Sequence, residues 1–223
     1  MCQPKSRCFN YTAPLLDTLE KLKVRVTFFI LGQTIAEYLD IEKKNKNYHY
    51  RANRRVLRRM IESGHDVGSH TFDHSILTSL TDQQILQQMD STSDLFNEVA
   101  NVRPAFMRAP EGYRHFNRTN RHRCLSLRVL RLLKDRGYTP VHWFINPEDW
   151  SHALNDPDHM VKYIQDELPK ASRGKGEIIL QHDTNERTAL KDQVRIIKLI
   201  QKKGRKLVTM GVCLGQKPYK KNE

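Results

Sequence analysis

Two histidines four residues apart, His70 and His74, close the run GSHTFDH, with Thr71 and Asp73 between them. On one helical turn or in a tight loop such a pair can hold a divalent ion. The plainer reading is a pair of surface or capping histidines. Even as ligands they do not finish a site, because a catalytic zinc usually keeps three protein ligands and a water. The third is expected to be a carboxylate or a histidine from elsewhere. The surroundings of the pair lack thiols, which favours an N/O site for zinc, cobalt or manganese. His182, in LQHD, could act as general acid or base near neutral pH, or be a histidine capped by backbone. Arg108 could orient a carboxylate or be a surface arginine. Trp150 could form a wall for a sugar ring or belong to the core.

Such residues do chemistry only where the fold gathers them. Thr12 reads as a helix N-cap, with Pro14 in the first turn and Leu15, Leu16, Leu19 and Leu22 at helical spacing. VRVTFFI (24–30) reads as a buried strand, and Gly32 ends it. A basic helix carrying Val56, Leu57 and Met60 stops near Gly64, and the short strand DVGSH follows. Thr81 and Gln84 make a capping box for a helix running to about Ala100. Then come strand PAFMR, a helix over 125–136, strand PVHWFI, a helix around 157–168 and strand EIILQH. ERTALKDQVRIIKLIQKKG forms the next helix and KLVTM the last strand. Six strands alternating with helices predict one α/β domain with a parallel sheet, open or closed into a barrel. In such folds functional residues gather at the C-terminal ends of strands. His70, Arg108, Asp149 with Trp150, and His182 with Asp183 all fall at such ends.

Composition bounds the rest. The chain has 223 residues, 38% hydrophobic and 28% charged, which is long enough for a substantial core. No apolar run approaches the roughly 18 residues a membrane span needs. MCQPKSRCFNY has no apolar core, so these residues are not expected to hold a secretory leader. Net charge is +13, concentrated in 43–59, in 114–136 and after Lys202. Solvated helix faces and basic loops explain it most simply. No zinc-finger spacing, RNA-binding aromatic signature or phosphate loop supports nucleic-acid binding. Cys2, Cys8, Cys124 and Cys213 form no CxxC pair, though an end-to-end disulfide is open in an oxidising compartment. The sequons at Asn10 and Asn117 are compatible with secretion.

TFFILG (27–32), GHDVGSHTFDH (64–74), MRAPEGY (107–113), PEDW (147–150) and IILQHD (178–183), in this order and spacing, resemble the NodB-like polysaccharide deacetylases of carbohydrate esterase family 4, and within them the fungal chitin deacetylases. The likeness runs over residues 10–215, leaving a non-matching segment 1–9 and a basic tail 216–223. It implies a distorted (β/α) barrel of the NodB type and removal of acetyl groups from N-acetylglucosamine units of chitin-like polymers. The cofactor it implies is one divalent metal, zinc or cobalt. By the same resemblance His70 and His74 are metal ligands and His182 is the acid that protonates the leaving amine. Arg108 tunes the catalytic base, and Asp149 supports His182. Trp150 and Leu180 line the acetyl-methyl pocket. Pro110 and Glu111 belong to the substrate site, the residue after Pro110 supplying a backbone N–H to the oxyanion. A monomer in the extracellular space or cell wall is expected, with a polysaccharide as partner and neither nucleic acid nor a membrane span.

Three features depart from that pattern. The family opens on a strand ending in Asp-Asp-Gly, which supplies the base and the third metal ligand. Here the first acid is Asp17, inside the first helix, so one barrel strand is expected to be missing, a sheet edge exposed and activity impaired. Glu111 stands where the family usually has an aromatic. Residues 43–51 and 114–124 look like basic insertions. The rival expectations are an inactive relative that still binds glycans and, last, a charge-driven nucleic-acid binder.

Overall fold

The computed structural model describes residues 11–36, 51–112, 126–152, 156–168 and 176–221, with backbone alone at 51–54 and 152. Residues 1–9, Cys2, Cys8, Asn10, Asn117, Cys124 and the stretches 43–50 and 114–124 lie outside the described residues. In chain order the elements are α1 (Thr12–Lys21), β1 (Thr27–Ile30), α2 (Arg51–Glu62), β2 (Asp66–Ser69), α3 (Asp82–Ala100), β3 (Phe106–Met107), α4 (Leu127–Asp135), β4 (Thr139–Pro140), α5 (Asp149–His152), α6 (His159–Glu167), α7 (Gln193–Lys202) and α8 (Met210–Leu214). They fall into two compact units, a sheet unit of Thr27–His142 with Met210–Glu223 and a helical unit of Met1–Val26 with Trp143–Thr209.

The sheet unit carries four parallel strands in the order β1-β2-β3-β4. Its helices follow from local sequence. Thr81 accepts from the Gln84 amide while the Gln84 side chain accepts from the Thr81 N–H, the reciprocal box the sequence predicts. Along α3 the buried positions Ile85, Met89, Thr92, Phe96 and Val99 recur at helical spacing. Ser126 caps α4. Ile85, Met89, Met107, Val129, Leu133 and Tyr138 form one core between these helices and the sheet. α8 opens with the Met210 N–H on Thr27 Oγ1 (2.9 Å) and the Gly211 N–H on Asp66 Oδ2 (2.7 Å), which satisfies two amides that a helix start leaves unpaired. Its Cys213 is exposed.

The helical unit packs Ile145, Met160, Ile164, Leu168, Ile196 and Ile200 into a second core. Arg187–Asp192 is a π-helical turn that runs directly into α7.

Five expectations need correction. Among the described residues there are four strands in one sheet, not six. PVHWFI and EIILQH meet only in a single parallel bridge, Ile145 to Ile179. KLVTM keeps an exposure alternation but no ladder, since the Met210 amide is taken by the Thr27 side chain. β1 is half-buried except at Ile30, and among the described residues it is the edge strand, paired with β2 alone. Thr12 is the first helical residue rather than the N-cap, which is Tyr11, and its hydroxyl donates to Asp183 Oδ2 at 2.5 Å.

Candidate functional site

The sequence-predicted residues divide between the units: His70, His74, Arg108, Pro110 and Glu111 in the sheet unit, and Asp149, Trp150, Leu180 and His182 in the helical unit.

In the sheet unit β2 delivers His70. Its N–H donates to Ile30 O (2.9 Å), extending the β1–β2 ladder by one residue. Its ring Nδ1 lies 2.7 Å from the Arg108 carbonyl oxygen. A carbonyl can only accept, so Nδ1 carries the proton, and in the neutral ring Nε2 keeps the lone pair. The chain then reverses through Thr71 at φ +68° and His74 at φ +69°, backbone conformations rarely adopted by residues other than glycine. The strained loop is held from outside: Gln88 Oε1 on α3 accepts from the amides of Phe72 (2.8 Å) and Asp73 (3.2 Å). Within the loop, Asp73 Oδ1 accepts from the Ser75 amide (2.9 Å) and hydroxyl (2.5 Å). The reversal brings the two imidazoles edge to face, with ring centroids 5.0 Å apart and planes at 78°. The pair therefore sits on a loop and not on a helical turn.

Arg108 follows β3, and its N–H donates to Ser69 O (2.9 Å). Its guanidinium is buried over the Phe29 ring, 4.3 Å from the centroid, a cation–π contact sheltered from water. Phe29 in turn occupies the space over Gly68, its partner in register. A Cβ on Gly68 would come within 2.7 Å of that ring. Beyond Arg108, Pro110 is buried and Glu111 adopts φ +59° in a turn closed by Gly112 N–H to Ala109 O (3.1 Å).

The two histidines fit two positions of a divalent-metal site. One ring is fixed in the tautomer that a backbone acceptor on Nδ1 imposes, and both donors suit zinc or cobalt. Among the described residues, no three His, Cys, Asp or Glu side chains gather where they could hold an ion.

In the helical unit, His182 Nδ1 lies 2.7 Å from Asp149 Oδ1, and Asp149 Oδ2 accepts from the His182 amide at 2.7 Å. The carboxylate is fully buried, whereas the His182 side chain remains 38% exposed. One buried acid thus holds ring and backbone of the same histidine, so the imidazole turns its Nε2 edge away from Asp149. A third donor, Thr188 Oγ1, reaches Asp149 Oδ2 at 3.1 Å. Asn185 Nδ2 donates to the Asp149 backbone oxygen at 2.9 Å. Leu180 is buried, and Trp150 is 64% exposed, so Trp150 is not core. Next to the dyad, desolvation pushes the Asp183 carboxyl above the usual carboxylate range, opposed by the Thr12 hydroxyl bond.

Sequence reading missed Thr12, Gln88, Asn185 and Thr188 as site supports. For the last two the cue was present, since a run of Asn and Thr directly follows the LQHD strand end. Gln88 had no cue, because only the folded chain brings α3 to the histidine loop.

The sequence profile of the polysaccharide deacetylase family matches residues 8–141. A chitin deacetylase of Colletotrichum lindemuthianum is 28% identical over 94% of this chain and 77% of its own length. A peptidoglycan-N-acetylmuramic acid deacetylase of Bacillus subtilis is 30% identical over 89% of the chain, but the chain spans only 35% of that protein. Among solved structures, a chitin deacetylase from Colletotrichum lindemuthianum superposes with a TM-score of 0.78 at 27% identity, covering 96% of this chain and 88% of that one. No helix among the described residues is long and apolar enough to cross a membrane. Fold and sequence agree: the chain is an α/β protein of the NodB type and belongs to the polysaccharide deacetylase family.

Proposed function

We propose that the chain acts on the N-acetyl groups of chitin-like N-acetylglucosamine polymers, with a divalent metal as cofactor. The observation that carries this reading is the Asp149–His182 pair, locked at 2.7 Å at the positions that resemble the family's acid motif. Each unit has its own task. In the helical unit, His182 is the acid that hands a proton from Nε2 to the leaving amine, and Asp149 stabilises the imidazolium that precedes the transfer. Trp150 and Leu180 offer apolar surface to the acetyl methyl. In the sheet unit, the Glu111 N–H in the turn after Pro110 donates to the developing oxyanion. Arg108, rigid over Phe29, presents a fixed positive charge that would tune a catalytic base. His70 and His74 would hold the metal, which supplies Lewis acidity toward the acetyl carbonyl. The reading includes a monomer acting outside the cell or at the cell wall.

In these 223 residues the first acid is Asp17, in α1, so the sequence before it offers no counterpart of the Asp-Asp pair from which the family takes its base and third ligand. Weak metal binding and slow turnover are therefore expected of this polypeptide. The test is acetate release from an N-acetylglucosamine oligomer with added zinc or cobalt, comparing the chain with His182→Ala. Slow, metal-stimulated release that drops further in His182→Ala is the expected result. Release equal in both proteins would sink the assignment of His182. The two-histidine site favours one second reading, a relative that binds glycan without turning it over. Retention by chitin oligomers with no acetate at any metal concentration would select it.

A further inference from the structure

The Asp149–His182 pair is embedded in a polar cluster that a hydrolytic acid does not by itself require. Asp149 Oδ2 accepts the Thr188 hydroxyl at 3.1 Å, and Thr188 and Asp149 are both almost completely buried. The other neighbour of that hydroxyl is Met160 Sδ at 3.5 Å, a far weaker acceptor. Asn185 uses both ends of its amide. Nδ2 donates to the Asp149 backbone oxygen (2.9 Å), while Oδ1 accepts from the amides of Arg187 (3.0 Å) and Thr188 (3.3 Å). Its own N–H approaches His182 O (3.3 Å). One asparagine thus ties the strand end bearing His182, the start of α5 bearing Asp149 and the turn bearing Thr188.

That turn, Arg187–Asp192, is the π-helical one. A π-helical turn closes i→i+5 rings in place of i→i+4 ones, and such turns are frequent at functional sites. It is secured at its far end by Arg187, whose Nε pairs with the buried Asp192 at 3.0 Å. Within this turn Thr188 faces the Asp149 carboxylate.

From this geometry we infer that Thr188 and Asn185 are positioning residues for the dyad. They hold the Asp149 carboxylate in the one orientation that fixes His182 as the Nδ1–H tautomer, so that Nε2 is the nitrogen through which the proton passes. The physical reason is competition for one carboxylate oxygen. Asp149 Oδ2 takes two donors, the His182 amide and the Thr188 hydroxyl, and that leaves Oδ1 for the imidazole. Without the hydroxyl, Oδ2 has one donor fewer, and the carboxylate can rotate and share either oxygen with the ring. The catalytic importance of this rests on the acid role proposed for His182, but the positioning itself does not.

The test is a ring-nitrogen and ring-proton NMR measurement on the full chain with 15N-labelled histidine, near pH 8, without substrate. His182 is identified by its loss in His182→Ala. In the wild-type protein the neutral His182 ring is expected to be the Nδ1–H form, with a low-field proton in slow exchange with water. Thr188→Val, which keeps the shape and removes the donor, is expected to speed that exchange by about tenfold, the scale of a hydrogen bond to a charged group, and to populate the other tautomer. Thr188→Ser is expected to restore the wild-type signature, and Asn185→Ala to resemble Thr188→Val. An Nε2–H tautomer in the wild type overturns the inference whether or not any variant folds. So does a wild-type signature in a folded Thr188→Val. Acetate release distinguishes the two readings: changed tautomers without turnover sink the proposed function alone, whereas turnover with unchanged tautomers sinks the positioning alone.

Discussion

Asp183 follows His182, yet its environment treats a carboxyl quite differently. Asp149 has three donors for its charge; Asp183 has burial against it and the Thr12 hydroxyl as its main hydrogen-bond partner. Its folded pKa is raised above the ordinary 3.8, with desolvation the largest cause. The sign follows from linkage: below 3.8 the group is protonated in both states and costs nothing, and stability is lost as pH rises through the higher folded value. Asp183→Asn stays neutral at every pH and keeps the Oδ1 acceptor for Thr12. It should therefore unfold at higher urea than wild type at pH 7, and the gap should narrow as pH falls toward 3.8. A variant less stable at pH 7 would show that the Asp183 anion is net favourable. Thr12 illustrates what sequence could tell. Its place at a helix start was legible from TAP and the leucine spacing, whereas its partner, 171 positions away, was not.

At the level of elements, the legible parts were those whose signal is local. The α3 capping box and the α4 helix with its Ser126 cap were readable because caps and periodicity act over a few residues, and the short strands DVGSH and PAFMR were found in part, as Asp66–Ser69 and Phe106–Met107. PVHWFI enters a ladder only at Pro140, in β4, and EIILQH and KLVTM enter none, although all three carry a β-rich composition, because pairing depends on partners that composition does not supply. β2 shows how an element serves a site. Glycine weakens a strand interior, but Gly68 is required here because Phe29 lies over it and carries Arg108 on its ring. Gly68→Ala is therefore expected to displace the Phe29 ring and cost about 1–3 kcal/mol, the range for overpacking a tight site. Urea unfolding checks the cost. Loss of the upfield ring-current shift on Arg108 side-chain protons checks the mechanism. An alanine accommodated without either change would mean that Phe29 has room to move.

Across the whole molecule the dominant quantity is charge: 38 Lys and Arg against 25 Asp and Glu leave +13. The described surface pairs do little to offset this. Arg103–Asp94 (2.7 Å), Arg136–Asp90 (3.1 Å) and Arg195–Asp158 (2.6 Å) join exposed groups, and such pairs contribute about 0–1 kcal/mol each. Self-repulsion among the excess cations is long-ranged and opposes the compact state. Salt shortens its reach from about 30 Å at 0.01 M to about 8 Å at 0.15 M. The same salt also weakens the exposed pairs, so the two effects compete, and the net charge decides the sign. The urea midpoint should rise between those two salt concentrations with an unchanged slope. Sodium sulfate and sodium chloride matched in ionic strength at the low end should act alike, which separates screening from ion-specific effects. A midpoint that falls with salt would mean that local pairing outweighs the +13, and that the basic stretches are offset by acids more closely than the sequence suggests.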